Sequence, residues 1–553
     1  MQFSIKQRDG PARIGELSIN NNRILTPNIF FLNTSRFKAP SFAETLFTKE
    51  IEKHSKIIAP EDELKEITET LATVKYASQL LNQSKNFVDF IVKLREKIGY
   101  QKAIYLPGIG NPTNLALLTY LGVDIFDSAP AIIAARKNLL FFENETIKKD
   151  DLKEIFCNCP VCSKKKSPQD LKYEDVLKHN YYAIYSKLKQ VRNTISKQNL
   201  RNLVEIQIRV DPNSTAILKN LDKNHYEYLE KRTPVASKGK LIATSKESMY
   251  RPEIIRFQKR VIDRYKKPKS AKILLLLPCS AKKPYFLSKS HKYLRNTILA
   301  TENPTIIHEL IITSPLGLVP RELELTYPAA NYDIPVTGVW ENYEKEMITS
   351  LLSKYLKNNK YEKIIAHLPK ELIDFISPLI KNAMITCIDK PTSDKSLEKL
   401  KNTLNKAVEK YKKVTFQNKT KEEILSLASY QFGKKNAEEL LKNSSIKGKY
   451  PYQKIFENNK QLGMITQERG LISLTLDGAE KINDYFVEIY SDFELKGSVF
   501  APGVIVTDKK IRIGDEVIVK RKNQQVAVGV AQMNGEEMNK SSYGEAVRVR
   551  HKI

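Results

Sequence analysis

The sequence predicts a multidomain α/β protein that ends in a small all-β module. Residues 103–127 read as a strand, a glycine turn, a helix and a second strand, which is the repeating unit of parallel α/β folds. The aliphatic run 273–277 stops at a proline, as a buried strand of a second α/β region would. From residue 497 onward, short apolar segments alternate with Gly and Asp, which is typical of a small β module.

The N-terminal region is expected to mix strands and helices. Residues 14–19 and 28–32 are strand-like stretches separated by Asn and Pro. The glycine turn at 107–112 should be followed by a helix over 113–121 and a strand over 122–127. Residues 60–99 are predicted to be helical, because apolar positions recur there at three- and four-residue spacing: Leu64, Ile67, Leu71 and Val74.

The later elements follow from similar patterns. Alternating apolar residues at 203–210 predict a strand, and the polar stretch 237–248 predicts a linker. The second α/β region should run from about 250 to 390. Its predicted strands are 272–277, 305–312 and 363–367, and Cys387 is expected in an apolar core strand. A charged stretch, 391–446, is predicted to be helical before the β module begins.

The charge balance favours a polyanionic partner. The chain has 553 residues with 91 Lys+Arg against 63 Asp+Glu, a formal net charge of +28. Residues 257–295 alone carry twelve basic side chains and one acid. Such an excess suits nucleic acid or an acidic membrane surface, and a solvated charged face is the alternative interpretation of the local cluster.

Other bulk features point to a cytoplasmic protein. No stretch approaches the ~20 apolar residues of a membrane-spanning helix, so no membrane partner is expected, and the N-terminus lacks the apolar core of a signal peptide. Five cysteines in so long a chain do not form a disulfide framework, and three of them lie within six residues.

A loop dense in reactive groups follows the 273–277 strand. Residues 278–291 read Pro-Cys-Ser-Ala-Lys-Lys-Pro-Tyr-Phe-Leu-Ser-Lys-Ser-His. A thiol at a strand end, with lysines and an imidazole nearby, can have its thiolate stabilised by their charge. A buried cysteine closing a core strand is the alternative. The density of polar groups favours a site centred on Cys279.

Closely spaced thiols form a second constellation. Cys157, Cys159 and Cys162 stand in a Cys-x-Cys-x-x-Cys pattern, which can supply three ligands of a tetrahedral zinc ion. The fourth ligand must come from elsewhere, either His179 or a distant cysteine. The pattern predicts a closed, structural zinc site and no open coordination position.

These motifs resemble known families. The 278–291 loop resembles the Pro-Cys-Ser-x-x-Lys-Pro-Tyr-x-x-Ser-x-Ser-His signature of the archaeosine synthase family, which modifies archaeal tRNA. Residues 106–112, with their Gly-x-Gly-x-Pro turn, and 122–127 resemble segments of the tRNA-guanine transglycosylase superfamily. In that superfamily the second segment holds a nucleophilic aspartate, here Asp127, and the three thiols with His179 match its zinc ligands. Residues 430–433, 497–503 and 514–517 resemble the domain before PUA and the RNA-binding PUA domain.

The resemblance implies a fold and a domain plan. It implies a truncated or modified TIM-like (β/α) barrel with a zinc insertion, a second α/β domain, a small α+β domain and a C-terminal β-barrel PUA domain. The corresponding boundaries are 1–245 for the transglycosylase-like domain, 246–395 for the domain with the loop motif, 396–488 for the α+β domain and 489–553 for PUA.

The resemblance also implies a reaction. The substrate would be tRNA carrying 7-cyano-7-deazaguanine in its D-arm, and an amine donor, with lysine favoured, would add to the nitrile. A thiolate can attack a nitrile carbon to give a thioimidate, from which an amine displaces the sulfur. Breaking a C–N bond of the adduct afterwards would need a partner enzyme of the radical-SAM type, because Cys157–Cys162 lacks the Cys-x-x-x-Cys-x-x-Cys spacing of a radical cluster.

Site roles follow from these assignments. The nucleophile would be Cys279, lysines of the loop would lower its pKa or bind phosphate, and His291 would move protons. The predicted catalytic residues are Cys279, Ser280, Lys282, His291 and Asp127. The predicted substrate-binding residues are Lys283, Tyr285, Ser288, Ser290, Gly108 and Gly110. The predicted metal ligands are Cys157, Cys159, Cys162 and His179.

Departures from the superfamily keep alternatives open. Asp127 comes early in the chain, and two motifs for catalysis and base reading, Asp-Ser-Gly-x-Phe-Gln and Gly-Gly-Leu-x-x-Gly-Glu, are absent from the sequence. Asp127 is therefore either catalytic or an inherited structural carboxylate. The loop at 278–291 is alternatively a binding element without covalent chemistry. The rival functions are a base-exchanging transglycosylase and a non-catalytic tRNA-binding scaffold.

Overall fold

The computed structural model describes residues 2–19, 22–64 and 67–553, which form two compact units. Most of the first unit lies before Pro234, and most of the second lies between Val235 and Val499. Among the described residues, no helix has the length and apolar character needed to cross a bilayer.

The first unit opens with an antiparallel sheet of three strands. These are β1 (Gln2–Asp9), β2 (Ala12–Ile19) and β3 (Asn22–Thr26), in the order β1-β2-β3. The strand predicted at 14–19 lies within β2, which is confirmed. Gly10 makes the turn into β2 with a φ of +61°, a conformation that glycine adopts without steric cost.

A parallel sheet of six strands forms the centre of the first unit. Its strands are β4 (Asn28–Phe31), β5 (Thr45–Leu46), β6 (Ser55–Ile58), β7 (Leu71–Val74), β8 (Ala103–Tyr105) and β9 (Ile125–Asp127). They are ordered β5-β4-β9-β8-β7-β6, and each pairing is parallel. Among the described residues the sheet is open at β5 and β6, which makes it half of a barrel. The sequence-predicted strands at 28–32, 103–106 and 122–127 correspond to β4, β8 and β9.

Helices and a hairpin complete this unit. The helices are α1 (Lys49–Lys53), α2 (Ala77–Leu81), α3 (Ser84–Ile98), α4 (Leu115–Tyr120), α5 (Ala129–Arg136), α6 (Tyr173–Ser196), α7 (Leu200–Gln207), α8 (Pro212–Asn224) and α9 (Tyr226–Arg232). The hairpin pairs β10 (Leu139–Phe141) with β11 (Thr146–Lys148). The helix predicted at 113–121 is confirmed as α4.

Two sequence predictions in this unit are wrong. Residues 203–210 are helical, with a final 3₁₀ turn, and do not form a strand. Their alternating pattern was coincidental, because Ile206 is 60% exposed while Leu203, Val204 and Gln207 are buried at helical spacing.

The second error concerns residues 60–99, of which only the later part is helical. Leu71–Val74 form strand β7, and Leu71, Ala72 and Val74 are fully buried between parallel neighbours. A short apolar run of this kind fits a buried strand or a buried helix equally well from the sequence. Of the same prediction, residues 65 and 66 lie outside the described residues.

A buried ion cluster holds the first unit together. Asp124, just before β9, accepts hydrogen bonds from Arg13 through both carboxylate oxygens (2.8 Å each), from Arg95 (2.8 Å) and from the Ile104 backbone N–H (2.8 Å). All three charged side chains are at most 1% exposed. Burial raises the pKa of Asp124, but the charges of Arg13 and Arg95 outweigh it and hold the pKa below its ordinary value.

The second unit begins with a mixed sheet of five strands. The strands of this region are β12 (Leu241–Ile242), β13 (Ile273–Pro278), β14 (Ile307–Thr313), β15 (Gly317–Pro320), β16 (Tyr332–Asp333), β17 (Lys363–Ala366) and β18 (Met384–Ile385). The sheet order is β15-β14-β13-β17-β18, in which only β15 is antiparallel to its neighbour. The three strands predicted from the sequence are confirmed as β13, β14 and β17. The expected linker, 237–248, contains β12, which pairs with β16.

The helices around this sheet are α10 (Pro252–Asp263), α11 (Lys289–Leu299), α12 (Asn342–Asn358) and α13 (Lys370–Ile376). The predicted helical stretch 391–446 is confirmed as α14 (Asp394–Val408), α15 (Phe416–Phe432) and α16 (Lys434–Leu441). An antiparallel sheet of four strands and a short helix follow: β19 (Ser445–Lys449), β20 (Tyr452–Glu457), β21 (Lys460–Ile465), β22 (Ile472–Leu474) and α17 (Leu476–Ala479).

A sheet of six strands closes the chain. Its strands are β23 (Phe486–Ile489), β24 (Ser498–Phe500), β25 (Val504–Thr507), β26 (Glu516–Arg521), β27 (Gln524–Ala531) and β28 (Glu545–Lys552), with helix α18 (Gly535–Lys540) between the last two. The order is β24-β28-β27-β26-β23-β25. The β module predicted from residue 497 onward is confirmed, and β23 lies before its predicted start.

The Asp124 cluster gives a testable stability effect. Replacing Asp124 with alanine leaves two buried guanidinium groups without their carboxylate, so we expect a loss of roughly 3–5 kcal/mol in the free energy of unfolding. Urea unfolding at pH 7 measures it. The matched control is Asp150→Ala, whose partner Lys148 is 53% exposed and which should leave the urea midpoint unchanged.

The same carboxylate predicts a pH effect. Its pKa is lower in the folded than in the unfolded state, so its stabilisation is present above the unfolded pKa of ~3.9 and is lost as the pH falls through the folded value. Unfolding midpoints of the native chain should therefore fall more steeply below about pH 4 than those of Asp124→Ala. Parallel acid profiles would contradict this assignment.

Candidate active site and metal centre

The thiol of the loop motif lies at the carboxyl edge of the second unit's sheet. Strand β13 is central because its residues 273–277 are all fully buried and pair with parallel strands on both sides. Pro278 pairs with Ile312 in register, which places Cys279 beside Thr313 where β13 and β14 end. The carboxyl ends of parallel strands form the edge at which open α/β sheets bind ligands.

Three buried hydroxyl groups form a chain beside this thiol. The Tyr285 hydroxyl lies 2.5 Å from the Tyr332 hydroxyl, which lies 2.5 Å from Thr313 Oγ1. All three side chains are at most 2% exposed. The chain therefore links the loop motif to the end of β14 and to β16.

Opposing influences act on the pKa of Cys279. Burial raises the pKa, whereas the neighbouring Thr313 hydroxyl and the charge of Lys283 lower it. The result is a pKa above the ordinary thiol value. The sequence predicts a thiolate stabilised by lysines and a histidine; among the described residues, Lys283 is the lysine whose charge lowers the pKa of Cys279, and burial outweighs it.

The amine of Lys283 is buried. Its Nζ is without a hydrogen-bond partner among the described residues and lies 4.0 Å from the centre of the Tyr332 ring. Burial lowers its pKa, as does Lys240, whereas Cys279 and Asp333 raise it, and the net direction is downward. Lys282 is exposed, and its backbone carbonyl accepts a hydrogen bond from Ser280 (3.0 Å).

His291 lies in the wall behind Tyr285. Its Nδ1 accepts a hydrogen bond from Arg321 Nη2 (2.9 Å), and its ring centre lies 5.0 Å from that of Tyr285. Burial and the charge of Arg321 lower the pKa of His291 to about 3, so the ring stays neutral at physiological pH. This arrangement suits positioning of the Tyr285 ring more than transfer of protons.

The two later serines of the loop bond to each other. Ser288 Oγ lies 2.8 Å from Ser290 Oγ, and Ser288 immediately precedes helix α11. The backbone N–H of Phe286 donates to Glu324 (2.9 Å). These contacts fix the loop between Tyr285 and the start of the helix.

Sequence reasoning missed Thr313 and Tyr332. Thr313 follows the predicted strand 305–312 directly, so aligning the ends of the two predicted strands could have placed it beside Cys279. Nothing in the sequence marks Tyr332. It lies in β16, which pairs with β12, and its hydroxyl contacts those of Tyr285 and Thr313. Cys387 was expected in a core strand, but it follows β18 and is half-buried, so that prediction is wrong.

The predicted metal ligands of the first unit lie together. The ligand atoms of Cys157, Cys159, Cys162 and His179 are all within 4.8 Å of one another. Nδ1 of His179 is 3.3 Å from the sulfur of Cys162 and 3.7 Å from that of Cys159. Bonds of about 2.0–2.3 Å to a tetrahedral ion need ligand atoms at about this separation.

A hydrogen bond to the other imidazole nitrogen orients the histidine ligand. His179 Nε2 donates to the Phe141 carbonyl of β10 (2.8 Å), which leaves Nδ1 as the nitrogen that faces the thiols. Asn180, the next residue, donates to the Leu139 carbonyl (2.9 Å) and accepts from the Phe141 N–H (2.8 Å). The donor set therefore fits a zinc ion.

Asp127 lies at the end of β9, and both its oxygens are engaged. Oδ2 accepts hydrogen bonds from the Tyr105 hydroxyl (2.7 Å) and the Gly108 N–H (2.9 Å), and Oδ1 accepts one from the Ala129 N–H (2.8 Å). The side chain is 4% exposed, and burial raises its pKa despite these bonds. The local backbone thus holds this carboxylate in place.

The glycine turn explains one of those hydrogen bonds. Gly108 and Gly110 have φ of +73° and +104°, which favour glycine. A Cβ on Gly110 would lie 2.9 Å from the Phe126 ring, next to Asp127 in sequence. The turn predicted from the sequence therefore brings the Gly108 N–H to the predicted aspartate.

Four family models match the chain. Residues 61–212 match queuine tRNA-ribosyltransferase, 422–488 match the patch-forming domain C2 of tRNA-guanine transglycosylase, and 491–553 match the PUA domain. Residues 254–404, which contain the loop motif, match a domain of unknown function, DUF5591.

Several proteins of archaea are similar to this chain over most of its length. The archaeosine synthase subunit alpha of Methanosarcina acetivorans is 37% identical over 86% of this chain and 78% of its own. The archaeosine synthase of Haloferax volcanii is 31% identical over 99% of both chains. A tRNA-guanine(15) transglycosylase of Methanobrevibacter smithii is 26% identical over 84% of this chain and 69% of its own.

Identity of this extent across nearly the whole length, together with the tRNA-ribosyltransferase and PUA matches, settles the assignment. The chain belongs to the archaeosine synthase family and is a transferase that modifies tRNA in archaeosine biosynthesis.

Proposed function

We propose that the chain transfers an amine donor, with lysine favoured, to the nitrile of 7-cyano-7-deazaguanine in the D-arm of tRNA. The observation that carries this proposal is the thiol of Cys279 at the carboxyl edge of β13, with the Lys283 amine and a chain of hydroxyl groups around it. A half-buried nucleophile next to a base suits a covalent route to a weak electrophile.

The reaction balances without an oxidant or reductant. The Cys279 sulfur bonds to the nitrile carbon while its proton passes to the nitrile nitrogen, which gives a thioimidate. The amine then adds to the same carbon, the C–S bond breaks, and the thiol recovers a proton. The product is an amidine that joins the donor to the base, and one difficult addition becomes two easier ones.

Lys283 is the base that this route needs. A neutral amine accepts the thiol proton and returns it to the nitrogen of the substrate. Burial lowers the pKa of Lys283, which makes the neutral form accessible nearer to physiological pH. The half-buried Ser280 and the exposed Lys282 suit contacts with the RNA backbone.

The state of Asp127 argues against the rival activity. Base exchange needs a carboxylate free to attack a ribose carbon, and three hydrogen bonds satisfy both oxygens of Asp127 in the protein without tRNA. We assign Asp127 an inherited structural role. The scaffold alternative is disfavoured by the thiol with a buried amine beside it, which a pure binding surface does not need.

The remaining parts of the chain serve this reaction. We assign one structural zinc ion to Cys157, Cys159, Cys162 and His179, in an insertion of a truncated (β/α) barrel within residues 1–245. The domain at 246–395 holds the reacting groups, and 396–488 and the PUA domain at 489–553 bind tRNA, in keeping with the net charge of +28. A radical-SAM partner would convert the adduct, and the setting is cytoplasmic.

The first test removes the thiol. We expect Cys279→Ala to lower amine transfer to nitrile-bearing tRNA on the order of 10³-fold or more, measured by mass spectrometry of the released nucleosides. Cys279→Ser should be nearly as poor, because a hydroxyl is far less ionised than a thiol. Asp127→Asn is the comparison and should lose little.

Near-native turnover in Cys279→Ala, together with loss in Asp127→Asn, would assign the chemistry to the first unit and overturn the proposal. The affinity of each variant for labelled tRNA, measured by fluorescence anisotropy, distinguishes a loss of binding from a loss of chemistry.

The second test compares neighbouring lysines. We expect Lys283→Ala to lower the rate at saturating tRNA by about 10²–10⁴-fold, as loss of a general base does. Lys282→Ala, which removes an exposed side chain, should leave that rate almost unchanged. The rate of the native enzyme should rise with pH through the lowered pKa of Lys283, because the neutral amine is the active form. Equal losses in the two variants would argue for phosphate binding.

The third test concerns zinc. Purified protein should contain about one zinc ion per chain, and Cys159→Ser should reduce this content and lower the thermal unfolding temperature. Elemental analysis with calorimetry measures both. Cys387→Ser is the matched control and should keep its metal, since Cys387 lies outside the cluster. Folded native protein without zinc would refute the site.

A further inference from the structure

Thr313 and Tyr332 stand outside the loop motif, yet they lie next to its reacting groups. Thr313 is the last residue of β14, and Tyr332 opens the two-residue strand β16. The register of β13 and β14 places Thr313 beside Cys279, and the ring of Tyr332 covers the Lys283 amine. Both partners of the proposed chemistry therefore depend on side chains that neither the motif nor its sequence neighbours supply.

The direction of the hydrogen bonds is fixed by the number of hydrogens. Each hydroxyl has one hydrogen, and Thr313 donates its own to the Ser314 carbonyl (3.0 Å). Thr313 Oγ1 therefore accepts from Tyr332, and the Tyr332 oxygen accepts from Tyr285. Burial raises the pKa of both tyrosines, which keeps them protonated as donors.

Rotation of the Thr313 hydroxyl would direct its hydrogen toward the Cys279 sulfur. When Cys279 is a thiolate, the Thr313 hydrogen can turn from the Ser314 carbonyl to the sulfur, and each donor behind it polarises the next. Hydrogen bonds to a charged acceptor are about twice as strong as neutral ones. The chain thus favours the thiolate over the thiol.

The ionisable groups around Cys279 give its thiolate little stabilisation. Lys283, Tyr285 and Tyr332 face the thiol, and Lys240 and Asp333 act on Lys283. Asp333 is paired with Lys240 at 2.6 Å, so it does not hold Lys283 in an ion pair. Because burial disfavours the charged form of Lys283, this amine is a weak counter-ion for the Cys279 thiolate. A second source of thiolate stabilisation is therefore needed.

We propose that Thr313 and Tyr332 are positioning residues of the reaction centre: the hydroxyl chain ending at Thr313 stabilises the Cys279 thiolate, and the Tyr332 ring holds Lys283 as its proton acceptor. This inference rests on the proposed function, in which Cys279 is the nucleophile. The proton step breaks the S–H bond and forms an N–H bond on Lys283. That ammonium later protonates the substrate nitrogen, so charge and protons balance.

The experiment measures the thiol directly, without tRNA. Full-length, zinc-loaded protein is alkylated with iodoacetamide across a range of pH, and mass spectrometry of peptides follows Cys279, with Cys387 as a reference in the same chain. We expect Thr313→Val to move the midpoint of the Cys279 profile upward by roughly one to two pH units. Thr313→Ser keeps the hydroxyl and should restore the native midpoint.

Tyr332→Phe separates the two roles of the tyrosine. It keeps the ring over Lys283 and removes the donor to Thr313, so we expect a smaller upward shift in the same profile. It also carries the test if Thr313→Val does not fold. The controls remove comparable buried hydroxyls elsewhere: Thr301→Val, whose hydroxyl donates to the Ile298 carbonyl (2.7 Å), and Tyr355→Phe, whose hydroxyl pairs with Tyr361 (3.0 Å). Neither control should shift Cys279.

Two results would overturn the inference. One is an unchanged Cys279 midpoint in both Thr313→Val and Tyr332→Phe, and the other is an equal shift in the controls, which would show a general effect of lost packing. Failure of the proposed function looks different. In that case Cys279→Ala transfers amine at the native rate, whatever the alkylation profiles show.

Discussion

The parallel register of β13 and β14 is the constraint on which the proposed reaction centre of the second unit depends. Because Pro278 pairs with Ile312, the two residues that follow this pair, Cys279 and Thr313, lie side by side, and both carry polar side chains. A shift by one residue would turn each side chain to the opposite face of the sheet. The full burial of residues 273–277 prevents that shift, since a slipped strand would move apolar groups out of the core.

The two units use the same edge of a parallel sheet in opposite ways. Asp127 is the last residue of β9 in the first unit, and Cys279 directly follows β13 in the second. Backbone N–H groups and the Tyr105 hydroxyl occupy the oxygens of Asp127, whereas the groups near Cys279 include an amine without a hydrogen-bond partner among the described residues. A satisfied carboxylate supports structure, whereas a buried amine without such a partner beside a thiol supports chemistry. This contrast is the basis for placing the proposed reaction at Cys279.

Burial accounts for the properties of the groups around the thiol. It raises the pKa of Cys279 and lowers those of Lys283 and His291, because a low-dielectric setting disfavours every charged form. For His291 the adjacent Arg321 adds to the effect, and the ring is left to position Tyr285. For Cys279 and Lys283, burial favours the neutral thiol and the neutral amine. Two neighbouring neutral groups of this kind are a suitable starting state for proton transfer between them.

The sequence by itself determined the parts that depend on short spacings. The Cys-x-Cys-x-x-Cys turn, the strands β8, β9, β13, β14 and β17, the glycine turn beside Asp127 and the loop at 278–291 were all predictable, because each arises from residues close in the chain. His179 was found through its family match, and the structure brings its Nδ1 to the thiols. The pattern at 203–210 misled because a short amphipathic helix can imitate the alternation of a strand until its packing is known. Only the tertiary structure decided which lysine faces the sulfur, that His291 is buried against Arg321, and that Thr313 and Tyr332 join the site. Those contacts link residues up to about fifty positions apart, and their geometry depends on sheet register and burial, which no local pattern encodes.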